Sequence, residues 1–78
     1  MSQLEKLLER IRNNPKTVRF EELEKILTKA GYKSRQPARG SSHYTFFKAG
    51  KRILTIPKKY PFVKEVYVKQ VIEALAEE

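Results

Sequence analysis

The side chain best suited to acid–base chemistry in this sequence is its one histidine, His43. Histidine ordinarily titrates close to neutral pH, so it can both accept and donate a proton there. His43 directly follows the turn-forming residues Gly40-Ser41-Ser42. RNA cleavage needs no metal ion if such a group serves the 2′-hydroxyl or the leaving oxygen, and if positive charges stabilise the transition state. We therefore predict that His43 is a general acid/base, with a purely structural histidine as the alternative.

The composition excludes most other catalytic arrangements. The 78 residues contain no Cys, and all nine acids are Glu. A disulfide, a thiolate zinc site and a cysteine nucleophile are therefore excluded, and Glu with a single His is a poor ligand set for zinc or iron. A serine nucleophile at Ser41 or Ser42 would need a Glu to complete its triad. We expect no metal and no cofactor, and any second acid–base group beside His43 must be Lys, Tyr or Glu.

Positive charge is concentrated in the middle of the chain. The net charge is +8, yet residues 25–64 hold eleven Lys or Arg and no acid, whereas the remainder holds six bases and nine acids. A field of one sign attracts polyanions, and nucleic acid is the commonest of these. We therefore predict an RNA-binding surface, with a basic surface that serves only solubility as the alternative. The candidate RNA-binding residues are Lys33, Arg35, Arg39, Ser41, Ser42, Lys51, Arg52, Lys58 and Lys59. The two serines are included because their turn could hold a phosphate through backbone N–H groups, although a simple hairpin turn is the alternative.

Apolar residues at helical spacing predict three helices, over residues 2–13, 20–30 and 64–76. Ser2 and Glu5 form a capping box at the start of the first helix. Gly31 stands where the second helix needs a left-handed cap, and the acids of that helix suit its positive N-terminal end. The predicted inward-facing residues of the last helix are Val63, Val66, Tyr67, Val71, Ala74 and Leu75.

Three short strands are predicted between the second and third helices, over residues 32–39, 43–48 and 52–57. Pro37 interrupts the first strand and indicates a sheet edge, and Gly50 supplies the positive φ of the hairpin loop that follows the second. The order α-α-β-β-β-α predicts one domain, a two-layer α+β sandwich with the helices on one face of an antiparallel sheet. No apolar run approaches the roughly 20 residues of a membrane span or resembles a signal peptide, so we expect a soluble, cytoplasmic protein.

The second strand carries aromatic side chains on both of its faces. We predict that Tyr44 and Phe46 point toward the helices, which leaves His43 and Thr45 on the open face. The opposite assignment would bury His43. Phe47 is the aromatic residue most expected to be exposed, where it could stack on RNA bases as in strand-platform RNA binders.

Four segments of the chain together resemble the HicA-type mRNA interferase toxins. FEELEKIL (20–27) followed by Gly31-Tyr32 resembles their first core helix, and GSSHYTF (40–46) resembles their Gly-Ser-His segment. ILTIPK (53–58) resembles their strand that ends in a Pro-basic turn, and YVKQV (67–71) resembles their closing helix. The resemblance covers about residues 18–76, in the family's order and spacing.

The resemblance implies a fold like that of a double-stranded RNA-binding domain, α-β-β-β-α, with residues 2–13 as an additional helix. It also implies a metal-independent endoribonuclease activity on mRNA and neutralisation by a HicB-type antitoxin. The family's catalytic histidine follows Gly-Ser directly, whereas here Ser42 intervenes. Either His43 or Ser42 occupies the catalytic position, and alignment on Phe46 favours His43. The alternative function is a non-catalytic RNA-binding domain of the same fold.

Overall fold

The structure is a computed structural model that describes residues 3–36, 39–40 and 42–76. Within these residues the chain forms three α-helices and one three-stranded antiparallel sheet, which confirms the predicted α+β class. The elements in chain order are α1 (Gln3–Asn13), α2 (Phe20–Lys29), β1 (Lys33–Arg35), β2 (His43–Phe47), β3 (Leu54–Pro57) and α3 (Glu65–Ala76). This is the order of elements that the sequence periodicity predicts.

Helix α1 packs against α2 and α3 and is part of the domain. Ile11 lies in the core, and Lys29 Nζ on α2 donates a hydrogen bond to Gln3 Oε1 at 2.8 Å. The partly buried residues of α1 that pack against the core are Leu4, Leu7 and Leu8. The predicted capping box depends on Ser2, which lies outside the described residues.

The end of α2 follows from the glycine after it. Gly31 has φ +97°, a conformation that costs other residues free energy. Its N–H donates to the Thr28 carbonyl at 3.1 Å, and the Tyr32 N–H donates to the Leu27 carbonyl at 2.9 Å. These two bonds form a Schellman motif, which ends the helix and directs the chain into β1. A Cβ atom at position 31 would lie 3.3 Å from Lys48 Cε, so the close approach of that side chain also favours glycine.

The sheet has the order β1-β2-β3, and both pairings are antiparallel. The central strand sets the register: Thr45 pairs with Arg35 on one side and with Thr55 on the other. Each strand of the chain therefore lies beside its sequence neighbour, and the connections stay short. This arrangement leaves β1 and β3 at the two edges.

Two strands are shorter than predicted. The first, predicted over residues 32–39, forms only as β1, and Pro37 lies outside the described residues. A proline has no N–H to donate to a ladder, which is consistent with pairing that ends before it. The third, predicted to begin at Arg52, begins at Leu54, and the Arg52 guanidinium lies 3.5 Å from Glu73 Oε2 on α3. The other predicted boundaries agree with the structure within one residue.

The core lies between the helices and one face of the sheet, where α2 contacts β1 and α3 contacts β3. Phe46 is fully buried there, and its ring centroid lies 6.2 Å from that of Phe20. The Tyr44 ring lies 5.0 Å from the same phenylalanine. The prediction that Tyr44 and Phe46 point toward the helices is therefore confirmed.

The buried side of α3 differs from the predicted one at two positions. Val66 was predicted to face inward but is 55% exposed, whereas Val68 is fully buried. Val71, Ala74 and Leu75 are buried as predicted. Val68 lies three residues before Val71, at the spacing that places two side chains on one helix face, so the inward stripe is rotated from the predicted one. In the part of the chain that the structure describes, no helix is long and apolar enough to cross a membrane.

Candidate nucleic-acid interface

The sheet presents one face to the helices and one face away from them. Phe46, Leu54 and Ile56 are buried on the inner face, and alternation along each strand turns the neighbouring side chains outward. We call the outward side the open face. Its residues are Lys33, Arg35, His43, Thr45, Phe47 and Thr55, and Ile53 continues it directly before β3.

Charge is divided between the two layers of the domain. Every Glu in the described residues lies on a helix. The charged residues of segment 30–64, which carries the sheet, are all Lys or Arg. The positive charges of this segment are therefore concentrated on the sheet side of the domain, at positions only a few residues apart along the chain. Such a one-signed surface attracts a polyanion and speeds its association.

His43 is the first residue of β2 and is exposed, as predicted for the open face. It stands opposite Pro57 in the register, and Thr45 follows it on the same face. Arg35 and Thr55 pair with Thr45 and are the diagonal neighbours of His43. By register, His43 therefore lies next to Thr45, Thr55 and the backbone of Arg35, and its exposure makes it accessible to a ligand.

The turn before His43 is held to the opposite strand. The backbone N–H of Lys58 donates to the Ser42 carbonyl at 2.8 Å, which extends the β2–β3 pairing one residue beyond the His43–Pro57 pair. Ser42 itself is exposed, and Gly40 has φ +85°. Ser41, a predicted RNA-binding residue, lies outside the described residues. The backbone on the N-terminal side of His43 is therefore fixed by hydrogen bonding.

Lys58 lies among three aromatic rings at the His43 end of the sheet. Its Nζ lies 5.7 Å from the ring centroid of Phe20, 5.9 Å from that of Tyr44 and 6.0 Å from that of Tyr60. These distances are within the range of cation–π attraction. The Tyr60 hydroxyl donates to Glu21 Oε1 at 3.1 Å, at the start of α2. We refer to these five residues as the Lys58 cluster.

Two groups of the Lys58 cluster titrate away from their ordinary ranges. Hydrogen bonding from its own backbone N–H, aided by the Tyr60 hydroxyl, holds the pKa of the Glu21 carboxyl below its ordinary value. Hydrogen bonding with Tyr60 raises the pKa of Lys58, and the charge of Glu21 acts in the same direction. Both residues are therefore charged at neutral pH. Part of the field of Lys58 is offset by Glu21 beside it.

The predicted RNA-binding residues fall into groups at the two ends of the sheet. Arg35 lies in β1, Arg39 in the β1–β2 connection, and Lys58 and Lys59 directly after β3, on the His43 side. The others lie toward the Phe47 end of β2, and Phe47 is about 14 Å from His43 along the strand, for four residues at about 3.4 Å each. Those residues are Lys33, Lys51 and Arg52. The structure therefore does not gather the nine predicted residues around His43.

Two basic side chains of the far end contact the helices. Arg52 lies 3.5 Å from Glu73 Oε2, although both side chains remain largely in solvent. Lys48 Nζ donates to the Ala30 carbonyl at 2.7 Å, at the C-terminal end of α2, where a positive charge is favourable. Arg52 was predicted to bind RNA, and its position beside an acid reduces the charge that it can offer to a phosphate.

Sequence reasoning missed how Arg35 and Phe47 are related. The Arg35 guanidinium carbon lies 5.6 Å from the Phe47 ring centroid, on the open face. Arg35 was predicted to bind phosphate and Phe47 to stack on bases, but neither was predicted to contact the other. The signal lay in the register, because residues diagonal to each other across a strand pair meet on one face.

Two further observations concern metal binding and similarity to known proteins. Among the described residues, no group of three His or Glu side chains lies close enough together to hold a metal ion. The chain was compared with family models, with curated proteins and with solved structures, and none of them matches.

Proposed function

We propose that this protein binds RNA on the basic side of its sheet and cleaves it without a metal ion, with His43 as the general acid/base. The observation that carries the proposal is the exposed position of His43 on the open face. The charged residues of the sheet layer are Lys and Arg, with no acid among its described residues. The proposed substrate is mRNA, and the proposed place of action is the cytoplasm.

The proposed cleavage is a transesterification within the RNA. The 2′-hydroxyl oxygen attacks the adjacent phosphorus, and the bond from phosphorus to the 5′-oxygen of the next nucleotide breaks. His43 accepts the proton of the 2′-hydroxyl, and the leaving oxygen takes a proton from water or from the protonated imidazole. The positively charged residues on the His43 side of the sheet, among them Lys58 and Lys59, supply positive charge near the phosphorane-like transition state.

The resemblance to HicA-type toxins supports this function and adds a partner. The exposed histidine after a Gly-Ser turn, on the second strand of an antiparallel sheet, agrees with what that resemblance implies. We propose that α2, the three strands and α3 form a fold like a double-stranded RNA-binding domain, with α1 as an addition. We further propose that a HicB-type antitoxin neutralises the protein by covering the basic side of the sheet.

The test is RNA cleavage in a buffer that contains a metal chelator. We expect the wild type to cleave mRNA and His43→Ala to lose about 100-fold or more of the rate, since general acid–base catalysis contributes at least about that much. Ser42→Ala is the matched control, because Ser42 is the other candidate for the catalytic position. Equal rates for wild type and His43→Ala would refute the catalytic role, and a loss confined to Ser42→Ala would transfer that role to Ser42.

A second candidate function is RNA binding without catalysis. It is favoured by the residues that the register places next to His43, which are Arg35, Thr45, Thr55 and Pro57. None of these four residues is of a type that is among the usual general acids and bases of enzymes. For this function we expect salt-dependent binding and intact RNA after long incubation, and cleavage products made by the wild type but not by His43→Ala would exclude it.

A further inference from the structure

Arg35 and Phe47 form a defined pair on the open face, with Phe47 at the end of β2 away from His43. The Arg35 guanidinium carbon lies 5.6 Å from the Phe47 ring centroid, within the range of cation–π attraction. Arg35 is exposed and Phe47 is partly buried, so the pair borders solvent. Lys33 is the residue that pairs directly with Phe47 across the β1–β2 ladder. The pair therefore joins an aromatic ring, a planar cation and a second cation on one patch of the sheet.

Phe47 differs from the other aromatic residues of the sheet in where it points. Phe46 is fully buried, and Tyr44 packs against the core through the Phe20 ring. Their rings are needed for the fold and are directed away from a ligand on the open face. Phe47 is not in the core, and alternation along β2 puts it on the same face as His43.

A nucleobase suits this patch because it has a flat π surface and is joined to a phosphate. Bases stack on aromatic rings and on arginine guanidinium planes in complexes with single-stranded RNA. Lys33 and Arg35 supply positive charge for the phosphates on either side, in a layer that holds no acid among its described residues. In a duplex the bases are already stacked inside the helix and offer no free face.

We propose that Arg35 and Phe47 form a stacking site for an unpaired base of single-stranded RNA. The proposal rests on the proposed RNA-binding function and adds the substrate class, single strand in preference to duplex. Phe47, the aromatic residue of the stacking site, lies about 14 Å from His43 along β2, at about 3.4 Å per residue. An RNA strand that crosses the open face is then held at one end by stacking and carries its phosphates past His43 at the other.

The test compares binding of one sequence as a single strand and as a duplex. The probe is a short 2′-O-methyl oligoadenylate with a fluorescent label, alone or paired with its complement, because 2′-O-methyl RNA lacks the hydroxyl that attacks in cleavage. We expect Phe47→Leu to weaken binding of the single strand roughly tenfold, which lies within the range that stacking of one base on an aromatic residue contributes. We expect its affinity for the duplex and the slope of log K against log[salt] to stay unchanged, because no ionic contact is lost.

Phe62→Leu is the matched control. Phe62 is an exposed phenylalanine of the β3–α3 connection and lies outside the open face, so its replacement should leave both affinities unchanged. Arg35→Lys is a second variant, which keeps the charge and the core intact but removes the planar guanidinium. We expect it to weaken single-strand binding several-fold at an unchanged salt slope, and it tests the proposal even if Phe47→Leu folds poorly.

Three results would overturn the proposal in distinguishable ways. If the wild type binds the single strand and neither Phe47→Leu nor Arg35→Lys weakens it more than Phe62→Leu does, the stacking site is wrong and RNA binding stands. Equal losses on the single strand and the duplex would also exclude stacking. If the wild type binds neither probe at low salt, the proposed function fails and the stacking site with it.

Discussion

At the scale of single residues, Tyr60 links two groups of opposite charge. Its hydroxyl donates to Glu21 at the start of α2 and contributes to the shifted pKa values of both Glu21 and Lys58. The link joins the loop after β3 to the helix layer, next to the turn that positions His43. Spacing along the chain gave no sign of it, because Glu21 and Tyr60 are thirty-nine residues apart.

Replacing Tyr60 by Phe tests this link. We expect the pKa of Glu21 to rise toward its ordinary value of 4.5, because the carboxylate loses one of the hydrogen bonds that favour its charged form. The measurement is a carbon NMR titration of the Glu21 carboxyl. Tyr60→Leu is the companion variant, since it removes the ring as well and separates the hydroxyl from the cation–π contact with Lys58.

Tyr60→Phe also gives an expected pH dependence of the stability of the folded protein. The pKa of Glu21 is lowered in the folded state, so its contribution is present above the unfolded value and is lost as pH falls through the folded value. Wild type and Tyr60→Phe should therefore differ most in Tm near neutral pH and converge in acid, below pH 4.5. A constant difference in Tm across that range would show that the hydroxyl stabilises the protein by another route.

At the scale of elements, the periodicity of α3 predicts the helix but not which of its sides is buried. Its pattern of valines and alanines predicts a helix correctly, but a helix that is apolar on much of its circumference does not specify which side faces the core. The structure buries Val68 and exposes Val66. The rotation is decided by the surface that α3 meets, which α1, α2 and β3 provide together.

A matched pair of substitutions tests this face of α3. Val68→Ala should destabilise the domain by about 2 kcal/mol, because it removes two buried methyl groups and leaves a small cavity. Val66→Ala, the same chemical change two residues earlier, should alter stability by less than about 0.5 kcal/mol at its exposed site. The measurement is the free energy of unfolding in urea. Equal losses would mean that the buried side of α3 is wider than the structure has it.

The strands divide in the same way between what could be predicted and what could not. The alternation of β2 and the turn glycines indicate a hairpin, and the inward direction of Tyr44 and Phe46 was predicted correctly. The length of β1 was not, since three exposed residues carry no alternation that marks where pairing stops. Edge strands are defined by what lies beside them, so their limits depend on the partner strand.

At the scale of the whole molecule, the division of charge between the layers governs the proposed RNA binding. Lys33 and Lys6 are both exposed lysines, but Lys33 is on the open face and Lys6 is on α1. Lys33→Gln should flatten the slope of log K against log[salt] by about 0.7, as expected for one phosphate contact to a single strand. Lys6→Gln lowers the net charge equally and should leave that slope unchanged. If both variants flattened the slope equally, net charge alone would attract the RNA.

The sequence alone determined the fold class, the order of the elements, the basic middle of the chain and the candidacy of His43. These follow from local periodicity, from glycine and proline chemistry and from composition, which need no partner in space. The tertiary structure decided which side of α3 is buried, that Arg52 lies beside Glu73, that Lys58 lies among three rings, and that Arg35 lies over Phe47. Each of those features depends on contacts between side chains of separate elements, and such contacts are set by packing and strand register.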